Sequence, residues 1–478
     1  MTQPPASAPV FPRALETYPS AADQTLGAEL LQRVHLEPFN GVATGIFALA
    51  ILHTLAAARV AALGHRLKRR HDAATSGRDP SPHLGAELLH FLGEVEIVFG
   101  LWAVVLLASA TVWFGWPAAR QYVNDSVNYT EPLFVVVIMA LASTRPVIGC
   151  AEAALRMLAG LGGGTASAWW VSILIVGPLL GSVITEPAAM TICALLLARQ
   201  CYDLQPSARL KYATLGLLFV NISIGGSLSP FAAPPVLIVA RQWQWDLTFM
   251  LTTFGWRALV AILLSTGGYF LVLRRDLRAL DGRTPMPDIE LPTEECSGPS
   301  LLPVPTWVTA VHLAFMGWTV FTAHYPALFL GGFLFFLGFS RATAPYQSRL
   351  ELKTPLLVGL FLAGLVIHGG LQGWWIAPVL VRLPDRALFL GAAALTAVND
   401  NALITYLATL VPDLGPALRL AVVQGALVGG GLTVIANAPN PAGLALLGRF
   451  FGGAVSPLGL VAGALPPTIV AGLVFRLL

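Results

Sequence analysis

Residues 95–114 read VEIVFGLWAVVLLASATVWF and carry one charged side chain, Glu96. A helix rising 1.5 Å per residue crosses a hydrocarbon core of about 30 Å with about 20 such residues. Runs of this kind recur near 41–62, 92–115, 132–150, 211–240, 248–273, 306–322, 326–341, 354–371, 416–447 and 454–475. In lipid every backbone amide and carbonyl must find a partner inside the protein, which leaves helices or a closed barrel. The period-two alternation of barrel strands is absent. The expected class is therefore an all-α multi-spanning membrane protein of about ten transmembrane helices.

Composition narrows the function. Charged residues make up 11% of the chain, against about 25% in soluble domains. They cluster between the apolar runs, and a formal charge of +3 points to no nucleic-acid partner. Cys150, Cys193, Cys201 and Cys296 are far apart and show no disulfide or zinc spacing. Residues 1–40 read as a loose arm with a short amphipathic piece, AELLQRVHL, and not as a cleaved signal.

Two further apolar segments, 167–201 and 385–411, are interrupted at their centres by polar or Pro residues. Basic residues favour the cytoplasmic side. GHRLKRRHD (64–72), Arg145 to Arg156, 199–211, 273–283 and 340–353 all fit one topology if 167–201 enters and leaves on that side. By the same counting 385–411 enters and leaves from outside, and Arg382, Arg386 and Arg419 then fall outside. Each segment is expected to be a re-entrant hairpin with a polar tip. His368 before Gly369-Gly370 reads as an interfacial histidine.

The two halves also match. The first tip is TEPAAMT (185–191) and the second NDNALIT (399–405), each with a carboxylate in second place and Thr in seventh. Downstream, GGSLSPFAAPP (225–235) parallels GGGLTVIANAP (429–439) at a constant offset, 429 − 225 = 204. Inverted-topology repeats with broken helices are a mark of secondary transporters. The expected organisation is an arm at 1–40, a first repeat at 41–274, a cytoplasmic linker at 275–305 and a second repeat at 306–478, five spans in each repeat.

The tips and breaks supply the candidate site. Glu186 and Asp400 are the acids, with Thr185, Asn399, Asn401, Asn221, Ser227, Thr433 and Asn437 as neutral oxygen ligands. Pro187, Gly225, Gly226, Pro230, Gly429, Gly430, Gly431 and Pro439 are the helix-breaking and hinge residues. Hydroxyl, amide and carbonyl oxygens with a carboxylate suit a small hard cation. An acid in hydrocarbon is tolerated when it is protonated or neutralised by a bound ion. That is the design of a cation/proton exchanger, with Na+ and H+ as cargo and no other cofactor. The plainer readings stand beside it: a helix cap for either acid, back-bonded hydroxyls, and glycines that only allow close packing.

Paired hairpin tips followed by Gly/Pro-broken helices resemble the ion transporter superfamily of arsenite exporters, NhaD-type sodium/proton antiporters and citrate or dicarboxylate carriers. NDNALIT keeps the acid-Asn pair of the antiporter branch, and NISIGGSLSP (221–230) keeps its first break. TEPAAMT departs with Glu186-Pro187 where Asp-Asn is expected, and ANAPNPAG (436–443) is unusually Pro-rich. The resemblance covers roughly 40–475 and is nearest to bacterial proteins described as sodium/proton antiporters. It implies a homodimer in the cytoplasmic membrane, a scaffold part and a mobile transport part, and elevator-type alternating access. It implies sodium near Glu186/Ser227 and near Asp400/Thr433. The alternatives are an anion or metalloid transporter of the same fold and, remotely, an intramembrane hydrolase using the two acids. No HExxH or GxSxG motif supports the last.

Overall fold

The computed structural model describes residues 11–19, 24–74, 84–283, 302–452 and 455–478. Most of the expected linker, 284–301, lies outside them, as does Cys296. Among the described residues every regular element is a helix. Five are long and apolar enough to cross a membrane: Phe39–Ala57, Glu96–Phe114, Ala166–Ile184, Leu247–Asp281 and Pro457–Leu477. Two bent pairs, Trp116–Ser126 with Thr130–Ala142 (55°) and Lys353–Gly369 with Gly373–Val381 (81°), make seven if each is one span. Thr306–Phe321, Pro326–Ala342 and Pro416–Gly429 are shorter apolar helices. These are the lengths and compositions of a multi-pass membrane protein.

Local chemistry sets the ends. Thr165, Ser207 and Ser456 cap their helices by accepting the amides of Ala168, Leu210 and Gly459. The run expected as one span at 132–150 is two helices, Thr130–Ala142 and Arg145–Leu161. Thr144 is extended, and Pro146 sits in the first turn of the second helix, where its missing amide costs nothing.

The chain forms two compact units. One holds the described residues of Met1–Pro132 with Leu356–Leu383 and Tyr406–Leu414. The described part of its arm, 11–19 and 24–40, includes an anchored helix. Helix Leu26–Leu36 is tied down by Arg33, which donates to the Trp374 carbonyl at 2.7 Å. Glu29, 6% exposed, pairs with Arg33 at 2.7 Å and Arg382 at 2.9 Å. That neutralises Arg382, one of the arginines at odds with the orientation rule. His368 is buried, not interfacial, with its ring centroid 6.0 Å from Phe47 and 5.9 Å from Phe99.

The second unit holds Leu133–Pro355, Pro384–Thr405 and Gly415–Leu478. Within it Ala166–Ile184 and Glu186–Leu197 form an antiparallel hairpin, with the Cys193 thiol against Ile173 and the Cys201 thiol against Ala166. Gly177 meets Cys193 and Gly181 meets Ala189, with no room for larger side chains. Lipid gives no hydrophobic drive for helix association, so such close contact carries the packing. Ala166–Ile184 also runs parallel to Ala208–Gly225: Leu174 faces Asn221, Pro178 faces Gly225 and Ser182 faces Ser229. In the same manner Asp385–Ala397 runs parallel to Pro416–Gly429, with Phe389 at Gly425, Ala393 at Gly429 and Ala397 at Thr433.

Candidate functional site

The first tip is a sharp break. Thr185 has φ 77° and ψ 151°, a region nearly reserved for glycine, and a β-branched residue held there is strained. Glu186 then starts a helix with Pro187 in its first turn. The Glu186 amide donates to the Ala232 carbonyl at 3.3 Å, in the gap of the first broken span, between Gly225 and Pro234. Ser182 holds the same gap. Its hydroxyl donates to the Gly225 carbonyl at 2.6 Å and accepts the Leu228 amide at 3.0 Å. Its carbonyl accepts the Ser229 hydroxyl at 2.7 Å.

The second tip uses the same bonds. The Asn401 amide donates to the Ala436 carbonyl at 3.1 Å, and the Thr433 hydroxyl to the Ala397 carbonyl at 2.7 Å. Ala436 lies 204 residues after Ala232 and Thr433 lies 204 after Ser229, the offset found in the sequence. The tips themselves do not follow the expected register. Bond for bond, Glu186 corresponds to Asn401 and Thr185 to Asp400, so the two acids are one residue out of step. Matching carboxylate to carboxylate misplaces the tip because the equivalence is set by the amide that reaches the gap.

Glycines show the same correspondence. A Cβ on Gly226 would collide with Oε1 of Glu186, and one on Gly430 with the Ser223 hydroxyl and the Asn401 amide group. Gly226 is pressed by the tip side chain of Glu186, and Gly430 by Ser223 of the first broken span, with the Asn401 amide nitrogen 3.0 Å from an added Cβ. The Ser223 hydroxyl donates to the Leu427 carbonyl at 2.7 Å, joining the two broken spans.

Glu186 is wholly buried. Its Oε2 accepts from Asn437 Nδ2 at 3.1 Å, a contact between residues 251 apart in the chain, while Oε1 has no partner. Thr185 Oγ1, both amide atoms of Asn401, and Oδ1 of Asn437 and Asn440 are likewise buried without a partner. Buried polar atoms are normally satisfied, and each orphan costs about 1–3 kcal/mol. Asp400 is close enough to Glu186 to interact electrostatically. Asp400 is also a helix cap, its Oδ1 accepting the Ala402 amide at 2.8 Å. Asn399 Oδ1 accepts the Asp400 amide at 3.0 Å.

The other expected ligands are placed as follows. Asn221 donates to the Leu174 carbonyl and the Thr266 hydroxyl, leaving Oδ1 without a partner. Ser227 donates to the Ile224 carbonyl, which spends its proton but leaves oxygen lone pairs, as does the Thr433 bond. Asn440 donates to the carbonyls of Gly430 and Thr433, across the second gap. Pro230 lies in the first gap, Gly431 lies on the Val220 backbone, and Pro439 precedes the helix Asn440–Leu447. Ser182 is absent from the expected set. Its position one turn before the tip, next to Gly181, is the signal that could have found it.

Chemically the two tips offer buried oxygens of hydroxyl, amide and carbonyl groups together with the carboxylates of Glu186 and Asp400. A search of curated proteins finds no match to the chain. A protein-family model described as "Putative Na+/H+ antiporter" matches residues 38–478. The chain belongs to that family of transporters.

Proposed function

We propose that this protein is a secondary active transporter that exchanges a monovalent cation, Na+ foremost, for protons across the cytoplasmic membrane. The reading rests above all on the unpartnered Oε1 of buried Glu186, whose Oε2 is held by Asn437, together with the orphaned polar atoms of the two tips, Thr185 Oγ1 and the Asn401 amide. A proton on Oε1 satisfies it in one state, and a dehydrated cation held by the same oxygens satisfies it in the other. Competition between the two for one carboxylate couples their movement. Asp400 adds negative charge nearby, and hard oxygen donors favour Na+ over softer ions.

The matched tip and gap bonds support a five-plus-five inverted repeat of about ten spans, with one hairpin entering from each face. Both tips and both broken spans belong to one compact unit, as a moving transport part requires, and the other unit then serves as scaffold. Elevator-type alternating access in a homodimer is the mechanism this division suits.

The test is cation-driven proton flux in proteoliposomes of purified protein, with Na+, Li+ and K+ tried in turn on both sides of neutral pH. Sodium-dependent flux that Glu186→Gln abolishes is the expected outcome. Flux unaffected by Glu186→Gln overturns the assignment of the site. No flux with any cation, but uptake of a carboxylate or oxyanion, replaces the reading with an anion carrier of the same fold.

A further inference from the structure

The amide that holds Glu186 comes from the second gap, residues 430–439, between the helices Pro416–Gly429 and Asn440–Leu447. At the entry of this gap the Leu432 amide donates to the Gly429 carbonyl at 3.1 Å. At its exit the Asn440 amide donates to the Asn437 carbonyl at 3.0 Å. Between these two turns no amide of residues 433–438 donates to a backbone carbonyl. A loop so poor in backbone bonds has little to set against its conformational entropy. The missing tie is a side chain. Asn440 Nδ2 donates to the Gly430 carbonyl at 2.8 Å and to the Thr433 carbonyl at 2.9 Å, joining the exit of the gap to its entry.

The tie has changed sides between the two halves. In the first gap it comes from the hairpin, through the Ser182 hydroxyl. The Ser229 hydroxyl donates to the Ser182 carbonyl as the Thr433 hydroxyl donates to the Ala397 carbonyl. Ala397 therefore stands where Ser182 does, with no hydroxyl to offer. The offset between the halves carries Asn440 back to Val236 (440 − 204 = 236), whose side chain has no polar atom. Each gap is thus crossed by a polar side chain, from the hairpin in one half and from the following helix in the other.

The consequence falls on Glu186. Asn437 lies three residues before Asn440, on the loop that the Asn440 side chain closes, and its Nδ2 reaches Glu186 Oε2 at 3.1 Å. The helix that Asn440 begins is seated beside the first tip. Its Gly443 faces Met190, four residues after Glu186. Asn440 is wholly buried and its own Oδ1 has no partner, so an oxygen-ligand role is the rival that a test must separate.

We propose that Asn440 is a positioning residue for the exchange: it holds the second gap in the shape that delivers Asn437 to the Glu186 carboxylate, without touching the cation. This rests on the reading of Glu186 as the cation-binding acid. The test compares the parent, Asn440→Ala, Asn437→Ala and the double variant in proteoliposomes, by half-saturating Na+ and maximal flux. Each single variant should raise half-saturating Na+ by about tenfold, the order expected for one hydrogen bond to a charged group. Maximal flux per folded protein should stay within about twofold. The double variant should be no worse than the worse single one, because both act through one bond. Effects that multiply in the double variant overturn the proposal, as does a half-saturation that Asn440→Ala leaves at the parent value. Asn440→Asp has the same shape and keeps Oδ1 but loses both donated bonds, so it should behave as Asn440→Ala. Parent-like half-saturation in Asn440→Asp makes Oδ1 a ligand and overturns the proposal. A parent without cation-driven flux overturns the reading of Glu186 instead. The same cycle read in melting temperature then decides the tie alone, with non-additive losses supporting it and additive losses overturning it.

Discussion

Thr185 shows how much this site asks of a single residue. Holding a β-branched side chain at φ 77° costs roughly 1–3 kcal/mol, and the bond from the next amide to Ala232 keeps it there. Thr185→Gly should therefore melt at the same temperature or higher, while losing cation affinity because the orphaned hydroxyl is gone; a melting curve and cation-induced stabilisation separate the two. Gly226→Ala should abolish exchange, since its methyl group would occupy the space of Glu186 Oε1. Gly268→Ala, with open space around it, is the control. Asp400 combines a charge with a cap. Asparagine keeps the cap, so Asp400→Asn should stay within about 1 kcal/mol of the parent in stability, and Asp400→Ala should lose about 1 kcal/mol more. If the charge serves cation binding, exchange falls in both variants, and flux at normal stability in Asp400→Asn makes the residue structural.

At the scale of elements, the breaks were legible in the sequence and their partners were not. Gly225-Gly226, Pro230 and Pro234-Pro235 announce that a helix cannot continue, because proline lacks an amide and clashes with the preceding turn. Nothing local says that Ser182, more than forty residues earlier, will bond the exposed carbonyl and amide of that gap. Ser182→Ala strands both groups and should cost about 2 kcal/mol or more, read from thermal unfolding of the purified protein. Ser227→Ala removes one local bond to Ile224, and its stability loss should be smaller. The split of 132–150 into two helices was visible in Pro146, but apolar content on either side hid it.

At the scale of the molecule, sequence order and spatial grouping part company. The halves follow one another along the chain, whereas each compact unit collects segments from both halves. The proposed entry of the two hairpins from opposite faces makes a prediction for the whole protein. In a background without native cysteines, Gln205→Cys after the first hairpin and Leu383→Cys before the second should react with a charged thiol reagent from opposite faces of the membrane. Labelling of both from one face would sink the inverted repeat.

Composition and periodicity were enough to determine a helical multi-pass protein, the positions of its breaks, and acids at two tips. Those follow from rules that act over a few residues: the length needed to cross lipid, the limits of proline, the cost of buried charge. The tertiary structure decided which groups meet. It brought Asn437 to Glu186, and it set Glu186 against Asn401 in register where a match of charges would have set it against Asp400. A register is fixed by which backbone amide reaches which carbonyl across a gap, and that choice is made by packing between segments far apart in the chain.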